Sequence, residues 1–105
     1  MTDAVICFTT TNQEKEAKAI AQDLVRERLA ACVQLVPKIT SYYMWDGAPQ
    51  EDQEILLIIK THGERLEELK EYISAHHSYE VPELVVLDVT DGLPEYLEWL
   101  EQITT

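Results

Sequence analysis

The segment Thr40-Ser41-Tyr42-Tyr43-Met44-Trp45-Asp46-Gly47 decides the fold of this 105-residue chain. An Asp-Gly pair between two β-prone runs is a strong signal for a tight hairpin turn. The pair therefore joins a strand over Cys32–Trp45 to a returning strand over about Gln53–Thr61, whose central run is unbroken and apolar. Pro37 interrupts the first arm, and proline has no amide hydrogen to donate, so a bulge or a sheet edge is expected there.

The flanking patterns complete the order of elements. They predict a first strand over Ala4–Thr10, a helix from a capping box at Thr11–Glu14 to about Ala30, a second capped helix beginning at Thr61–Glu64, a strand over Leu84–Val89 and a short final helix. The order is β-α-β-β-α-β with an extra C-terminal helix, which is typical of an α+β ferredoxin-like sandwich. In that plan the first strand lies between the third and the fourth. Residues 1–105 are interpreted as one domain.

The net charge, and the absence of phosphate-binding and catalytic motifs from the sequence, limit the classes of function that are expected for this chain. Twenty acidic residues against eight basic ones leave a net charge of −12, which disfavours nucleic acid and anionic membranes as partners. The acidity is explained by solubility alone, or it enriches cations near the surface. The three glycines form no phosphate-binding loop and no catalytic motif is present, so no enzyme is expected. The N-terminus lacks the pattern of a secretory signal, so a cytoplasmic location is expected.

The long hairpin predicts assembly. Its arms reach beyond the neighbouring strands, and its tip carries Tyr42, Tyr43, Met44 and Trp45. An exposed aromatic edge on a monomer invites aggregation. A homo-oligomer in which each hairpin pairs with a neighbouring sheet is one solution, and burial of the aromatic patch within the monomer is the alternative.

The segment His76-His77-Ser78-Tyr79 is a candidate metal site. Neutral imidazole is a common ligand of transition metals. The inward stripe of the second helix, continued by three residues, reaches His76, and His77 lies about 100° further round the helix unless the helix has already ended. The alternative is that the pair caps the helix C-terminus. Cys7 and Cys32 are interpreted as buried apolar residues or, less simply, as soft ligands for a cation such as Cu(I).

Several separated motifs in this chain resemble those of the CutA-type divalent-cation tolerance proteins, over nearly the whole length. These motifs are Arg28-Leu29-Ala30-Ala31-Cys32-Val33, Ser41-Tyr42-Tyr43 with Trp45-Asp46-Gly47, the strand residues Glu54, Leu57, Ile58, Lys60 and Thr61, His77-Ser78-Tyr79-Glu80-Val81-Pro82-Glu83, and Tyr96-Leu97-Glu98-Trp99-Leu100. Many relatives have proline where this chain has Ser78.

The resemblance implies a cytoplasmic, non-enzymatic homotrimer that binds copper or another divalent cation and acts in metal tolerance. It places the metal ligands at His76 and His77. Tyr79 and Glu83 are expected either to line the pocket around His77, with Glu83 as a candidate ligand, or to be a buried tyrosine and a surface carboxylate. Trp45 and Trp99 are assigned to trimer packing. The rival hypotheses are a small-molecule sensor similar to the trimeric PII proteins, or a scaffold without physiological metal.

Overall fold

A computed structural model describes residues 2–105 and shows four strands and three helices. The elements are β1 (Ala4–Thr11), α1 (Glu14–Arg26), β2 (Cys32–Trp45), β3 (Ala48–His62), a 3₁₀ turn (Gly63–Arg65), α2 (Leu66–His76), β4 (Val85–Asp88) and α3 (Pro94–Ile103). The predicted α+β order with an extra C-terminal helix is confirmed. Within residues 2–105, no helix is both long and apolar enough to cross a membrane.

The four strands form one antiparallel sheet in the order β2-β3-β1-β4. The first strand therefore lies between the third and the fourth, as the ferredoxin-like plan predicts. Cys7 on β1 and Cys32 on β2 lie on strands that are not neighbours, and both thiols are free. Because β2 and β4 are the edge strands, each presents an unpaired backbone edge.

Helices α1 and α2 cover one face of the sheet, and the main core lies between them and the strands. Alternate residues along β1 and β3 point into this core, which the following buried residues form: Val5, Cys7, Ala17, Ile20, Leu24, Leu29, Ala30, Leu57, Ile59, Leu69 and Ile73. A smaller cluster of Ala4, Ala31 and Leu100 places α3 at one end of the opposite face. The uncovered part of that face still carries apolar side chains, including Val36, Val85 and Leu87, which are exposed in the single chain.

The hairpin formed by β2 and β3 reaches beyond the rest of the sheet. These strands have 14 and 15 residues, against 8 in β1 and 4 in β4. Strand β3 begins at Ala48 rather than near Gln53, because pairing continues through the polar residues up to a two-residue turn. The turn residues Asp46 and Gly47 have φ of 51° and 75°, the left-handed conformation that such a turn requires.

The bulge expected at Pro37 is also present. The pairing register between β2 and β3 shifts between Val36 and Ile39, and Lys38 has a φ of 58°. Proline cannot donate to the ladder, so the chain leaves the regular register at this position and resumes it two residues later. The prediction from the missing amide hydrogen is therefore correct.

Neither predicted capping box forms. Thr11 ends β1, and its hydroxyl accepts from the Gln13 amide and donates to Glu16 Oε2, instead of capping α1. Helix α1 ends at Arg26 rather than near Ala30, because Arg28 turns through a φ of 58°. At the second predicted capping box, Thr61–Glu64, strand β3 continues to His62. The 3₁₀ turn then precedes α2, and no side chain caps either of them.

Candidate functional site

The two adjacent histidines lie at the end of α2 and face opposite environments. His76 is the last residue of the helix and is exposed, whereas His77 is extended, with φ −79° and ψ 140°, and is buried. The expectation that the inward stripe reaches His76 is therefore wrong. The helix ends at His76, and the change of backbone direction turns the His77 side chain inward instead.

Both ring nitrogens of His77 make hydrogen bonds within the chain. Nε2 lies 2.8 Å from the Thr10 carbonyl oxygen, and Nδ1 lies 3.1 Å from the Tyr79 amide nitrogen. A carbonyl only accepts and an amide only donates, so this pattern assigns the hydrogen to Nε2 and the lone pair to Nδ1. The ring also packs against Tyr79, with centroids 4.7 Å apart. A cation bound to His77 would have to replace one of these two hydrogen bonds.

One ring nitrogen of His76 has no hydrogen-bond partner among residues 2–105. Its Nδ1 lies 2.9 Å from the Tyr72 carbonyl oxygen, so Nδ1 carries the hydrogen and donates. The ring stacks on that of Tyr72 at 4.1 Å with an angle of 16° between the planes. These contacts orient the imidazole of an exposed residue and leave the lone pair on Nε2. An imidazole held through its other nitrogen is the usual arrangement of a metal-binding histidine.

Glu16 on α1 holds the segment that follows the histidines. Its carboxylate accepts hydrogen bonds from the Ser78 amide at 2.9 Å, the Ser78 hydroxyl at 3.0 Å and the Thr11 hydroxyl at 2.5 Å. Oε2 also lies 3.8 Å from His77 Nδ1. Hydrogen bonds to a charged acceptor are the stronger kind. They order the turn at Ser78.

Tyr79 and Glu83 border a separate pocket near the hairpin. The pocket has a volume of about 600 Å³, and the residues around it include Tyr43, Trp45, Asp52, Glu54, Tyr79 and Glu83, but not His77. Glu54 is only 7% exposed and accepts a 2.7 Å hydrogen bond from the Tyr79 hydroxyl. Burial, and then the neighbouring Glu54 carboxylate, raise the pKa of Glu83. The expectation that Tyr79 and Glu83 surround His77 therefore holds only for Tyr79.

The donors at the end of α2 do not form a closed metal site in one chain. Across residues 2–105, no group of three or more His, Cys, Asp or Glu side chains is arranged to hold a metal ion. His76 Nε2 is the ready donor, while the nitrogens of His77 are engaged. Cys7 is fully buried, and burial raises the pKa of its thiol to about 11, so it is a poor source of thiolate. Cys32 is partly buried, and Trp45 and Trp99 are exposed on the single chain.

Sequence reasoning missed Glu16, and it missed the contact between Glu54 and Tyr79. Glu54 stands immediately before the apolar run of β3, and a carboxylate at the start of a buried strand is a signal for a specific partner. Glu16 carries no comparable signal, since it lies among other acidic residues in the first turn of α1. Its contact with Ser78 joins residues 62 positions apart, which only the folded chain brings together.

Known proteins share both the sequence and the fold. The model of the CutA1 divalent ion tolerance protein family matches residues 5–103. The divalent-cation tolerance protein CutA of Thermus thermophilus is 48% identical over 99 residues, which are 94% of this chain and 96% of that protein. The chloroplastic CutA protein of Arabidopsis thaliana is 45% identical over 101 residues. That match covers 96% of this chain but only 56% of the plant protein.

Solved structures agree with the sequence relatives. The divalent cation tolerance protein of Thermus thermophilus superposes with a TM-score of 0.94 at 46% identity, covering 97% of this chain and 99% of that one. CutA from Xylella fastidiosa superposes with a TM-score of 0.96 at 38% identity, covering 99% of this chain and 100% of that one. The match over residues 5–103 and these identities show that this chain belongs to the CutA1 divalent ion tolerance protein family.

Proposed function

We propose that this chain acts in the cytoplasm as a homotrimeric, non-enzymatic protein that binds divalent cations, copper in particular, and contributes to tolerance of those ions. The observation that carries the metal assignment is the exposed His76, whose Nε2 has no hydrogen-bond partner among residues 2–105 and whose ring is oriented through Nδ1. The family is named for tolerance to divalent ions rather than for a reaction. A net charge of −12 also attracts cations to the surface.

Assembly is supported by the apolar surface that a single chain leaves open. Val85 and Leu87 on the edge strand β4 are about half exposed, and the hairpin tip exposes Tyr42 and Met44. An apolar sheet face next to unpaired edges is suited to contact with other copies of the chain. Closed cyclic symmetry satisfies such surfaces without open-ended growth, and three copies is the number that the resemblance implies.

Assembly also bears on the cation site. One imidazole nitrogen is too few for tight binding of copper, which prefers several nitrogen or sulfur donors. We infer that His76 supplies one ligand and that further ligands come from another copy of the chain or from solvent. His77 then acts chiefly by ordering the turn, and it becomes a ligand only where Tyr79 releases Nδ1.

Native mass spectrometry of the reduced protein, with and without one equivalent of Cu(II) per chain, tests this proposal. The wild-type protein is expected to be a trimer that gains integral copper. His76→Ala should remove that copper while preserving the trimer. Ser74→Ala, an exposed change on the same helix, is the matched control and should bind as the wild type does.

The outcomes separate the parts of the proposal. A trimer that gains no copper would overturn the copper assignment, and equal copper in wild type and His76→Ala would overturn the ligand assignment. A monomer at micromolar concentration would overturn the assembly. Sensitivity of cells to copper, with the chain present or deleted, tests the role in tolerance, and fluorescence of a tagged chain tests the location.

The pocket beside the hairpin favours a second candidate function, a small-molecule sensor. Its volume of about 600 Å³ suits a small metabolite, and its walls combine aromatic rings with the carboxylates of Asp52, Glu54 and Glu83. Such walls suit an organic cation, through charge and contact with ring faces. Calorimetry with putrescine tests it: binding lost in Glu83→Gln but retained in His76→Ala would favour the sensor over the metal protein.

A further inference from the structure

His62 lies far from the paired histidines in the fold and is held in a metal-binding orientation. It ends β3, opposite Ala4 of β1, on the sheet face that α3 partly covers. The residue is only 4% exposed, and its ring borders a cavity of about 360 Å³ between the N-terminal segment and α3. A histidine this deeply buried needs partners for its ring nitrogens.

Only one nitrogen of His62 has a hydrogen-bond partner among residues 2–105. Nδ1 lies 2.6 Å from the Thr104 hydroxyl oxygen. That hydroxyl donates its own hydrogen to the Leu100 carbonyl at 2.8 Å, so it accepts from His62 and the hydrogen lies on Nδ1. The lone pair is therefore on Nε2. A hydrogen bond from the other ring nitrogen, like that from Nδ1 to Thr104, is how proteins orient imidazole ligands of metals.

Glu64 stands beside the free nitrogen. Its Oε2 is 3.6 Å from His62 Nε2, which exceeds a hydrogen bond. Two ligands each about 2.1 Å from one ion and 3.6 Å apart subtend an angle of about 120°, close to the value of ~109° for tetrahedral zinc. Three carboxylates, from Asp3, Glu98 and Glu101, border the cavity that His62 also borders and give it negative charge.

We propose that His62 Nε2 and Glu64 form a second divalent-cation site, at the end of β3, for an ion of the zinc type. Imidazole and carboxylate are the ligand types that suit zinc and its neighbours in the first transition row. The chain supplies two ligands, and water fills the remaining positions on the open side, where Glu64 is exposed. Because water completes the coordination, the bound ion can exchange with ions in solution, unlike the ion of a closed structural zinc site.

Zinc titration by calorimetry, in a chain that already carries His76→Ala, tests this site apart from the one proposed above. We expect one Zn²⁺ per chain, with the dissociation constant raised about 10-fold or more by either Glu64→Gln or His62→Gln. Glu67→Gln removes an exposed carboxylate that, within residues 2–105, pairs with Lys70 alone, and it should leave the dissociation constant unchanged. Cobalt in place of zinc should give an absorption band that both ligand variants weaken.

The His62 ring gives a second measurement that does not depend on stoichiometry. Zinc should shift the ¹⁵N resonance of His62 Nε2 and leave that of Nδ1 nearly unchanged, because Nδ1 stays bonded to Thr104. If His62→Gln fails to fold, Glu64→Gln still decides, since Glu64 is 89% exposed in its side chain. Absence of zinc binding in the His76→Ala chain, or equal affinity in all the variants, would overturn the second site.

Discussion

Tyr79 donates a 2.7 Å hydrogen bond from its hydroxyl to Oε2 of Glu54, and this contact joins the segment after α2 to the middle of β3. Glu54 is one of the few carboxylates that the fold buries, and the phenol is its hydrogen-bond donor within residues 2–105. The same tyrosine packs its ring on His77 and donates its amide to that ring. Tyr79 therefore links the histidine turn to the pocket beside the hairpin.

Tyr79→Phe should lower the free energy of unfolding by about 1–3 kcal/mol, because Glu54 stays buried and loses its hydrogen-bond donor. Urea denaturation followed by circular dichroism measures this loss. Tyr42→Phe is the control, since Tyr42 is 73% exposed and should change stability by less than about 0.5 kcal/mol. Equal free energies of unfolding for the two variants would show that the hydrogen bond between Tyr79 and Glu54 does not stabilise the fold.

Glu16→Gln should loosen the turn at Ser78. The neutral amide keeps the shape of the side chain but weakens three hydrogen bonds to a charged acceptor. We expect a loss of about 1–2 kcal/mol and faster hydrogen exchange at the Ser78 amide. Glu14→Gln, two residues earlier, removes only an exposed ion pair with Lys18 and should cost about 0.5 kcal/mol or less. Unchanged exchange at Ser78 would contradict the prediction.

Gly47→Ala should destabilise the hairpin by about 1 kcal/mol, although a Cβ there would touch nothing. The cost is conformational, because Gly47 has a φ of 75°. Gly63→Ala is the matched control: its φ is not left-handed, and the nearest atom to a new Cβ is the Asp3 carbonyl oxygen at 3.8 Å. That change should be neutral or slightly stabilising. Thermal unfolding of both variants measures the difference, and the reverse order would be inconsistent with the turn geometry.

Cys7 should resist alkylation in the folded protein. Burial raises the pKa of its thiol to about 11, so little thiolate forms at pH 8, and the side chain is inaccessible. In a Cys32→Ser chain, iodoacetamide should label Cys7 only after unfolding in urea, as peptide mass spectrometry would show. Rapid labelling without urea would mean that β1 opens readily.

Stability should fall as the pH rises above about 10. Burial first, and then hydrogen bonds to Asp23 and Glu54, raise the pKa of Tyr72 and Tyr79 respectively above the ordinary value of a tyrosine. Above pH 10 the unfolded chain loses these protons while the folded chain keeps them, so unfolding becomes more favourable with increasing pH. Urea denaturation between pH 8 and pH 11 measures the slope, which Tyr72→Phe should reduce. A flat profile would contradict the assignment.

The sequence predicted the larger features of the fold because they depend on local rules. The Asp-Gly turn, the missing amide hydrogen of Pro37 and the β-prone runs on either side of that turn each act over a few positions, and all three predictions agree with the structure. Helix boundaries were predicted less well. Thr11 and Thr61 both precede a glutamate by three residues, yet pairing between β1 and β3 extends to Thr11 and to His62, and the strand ladder replaces the capping box.

In the candidate site, too, some features follow from the local sequence and others depend on the tertiary structure. The sequence by itself determined that this chain is acidic, that it builds a β-α-β-β-α-β sheet with a long hairpin, and that two histidines end its second helix. Only the tertiary structure decided which ring nitrogens are free. His77 is bonded to Thr10, 67 residues away, and His62 to Thr104, 42 residues away. Hydrogen bonds of this kind depend on the packing of distant elements, and a local pattern carries no record of that packing.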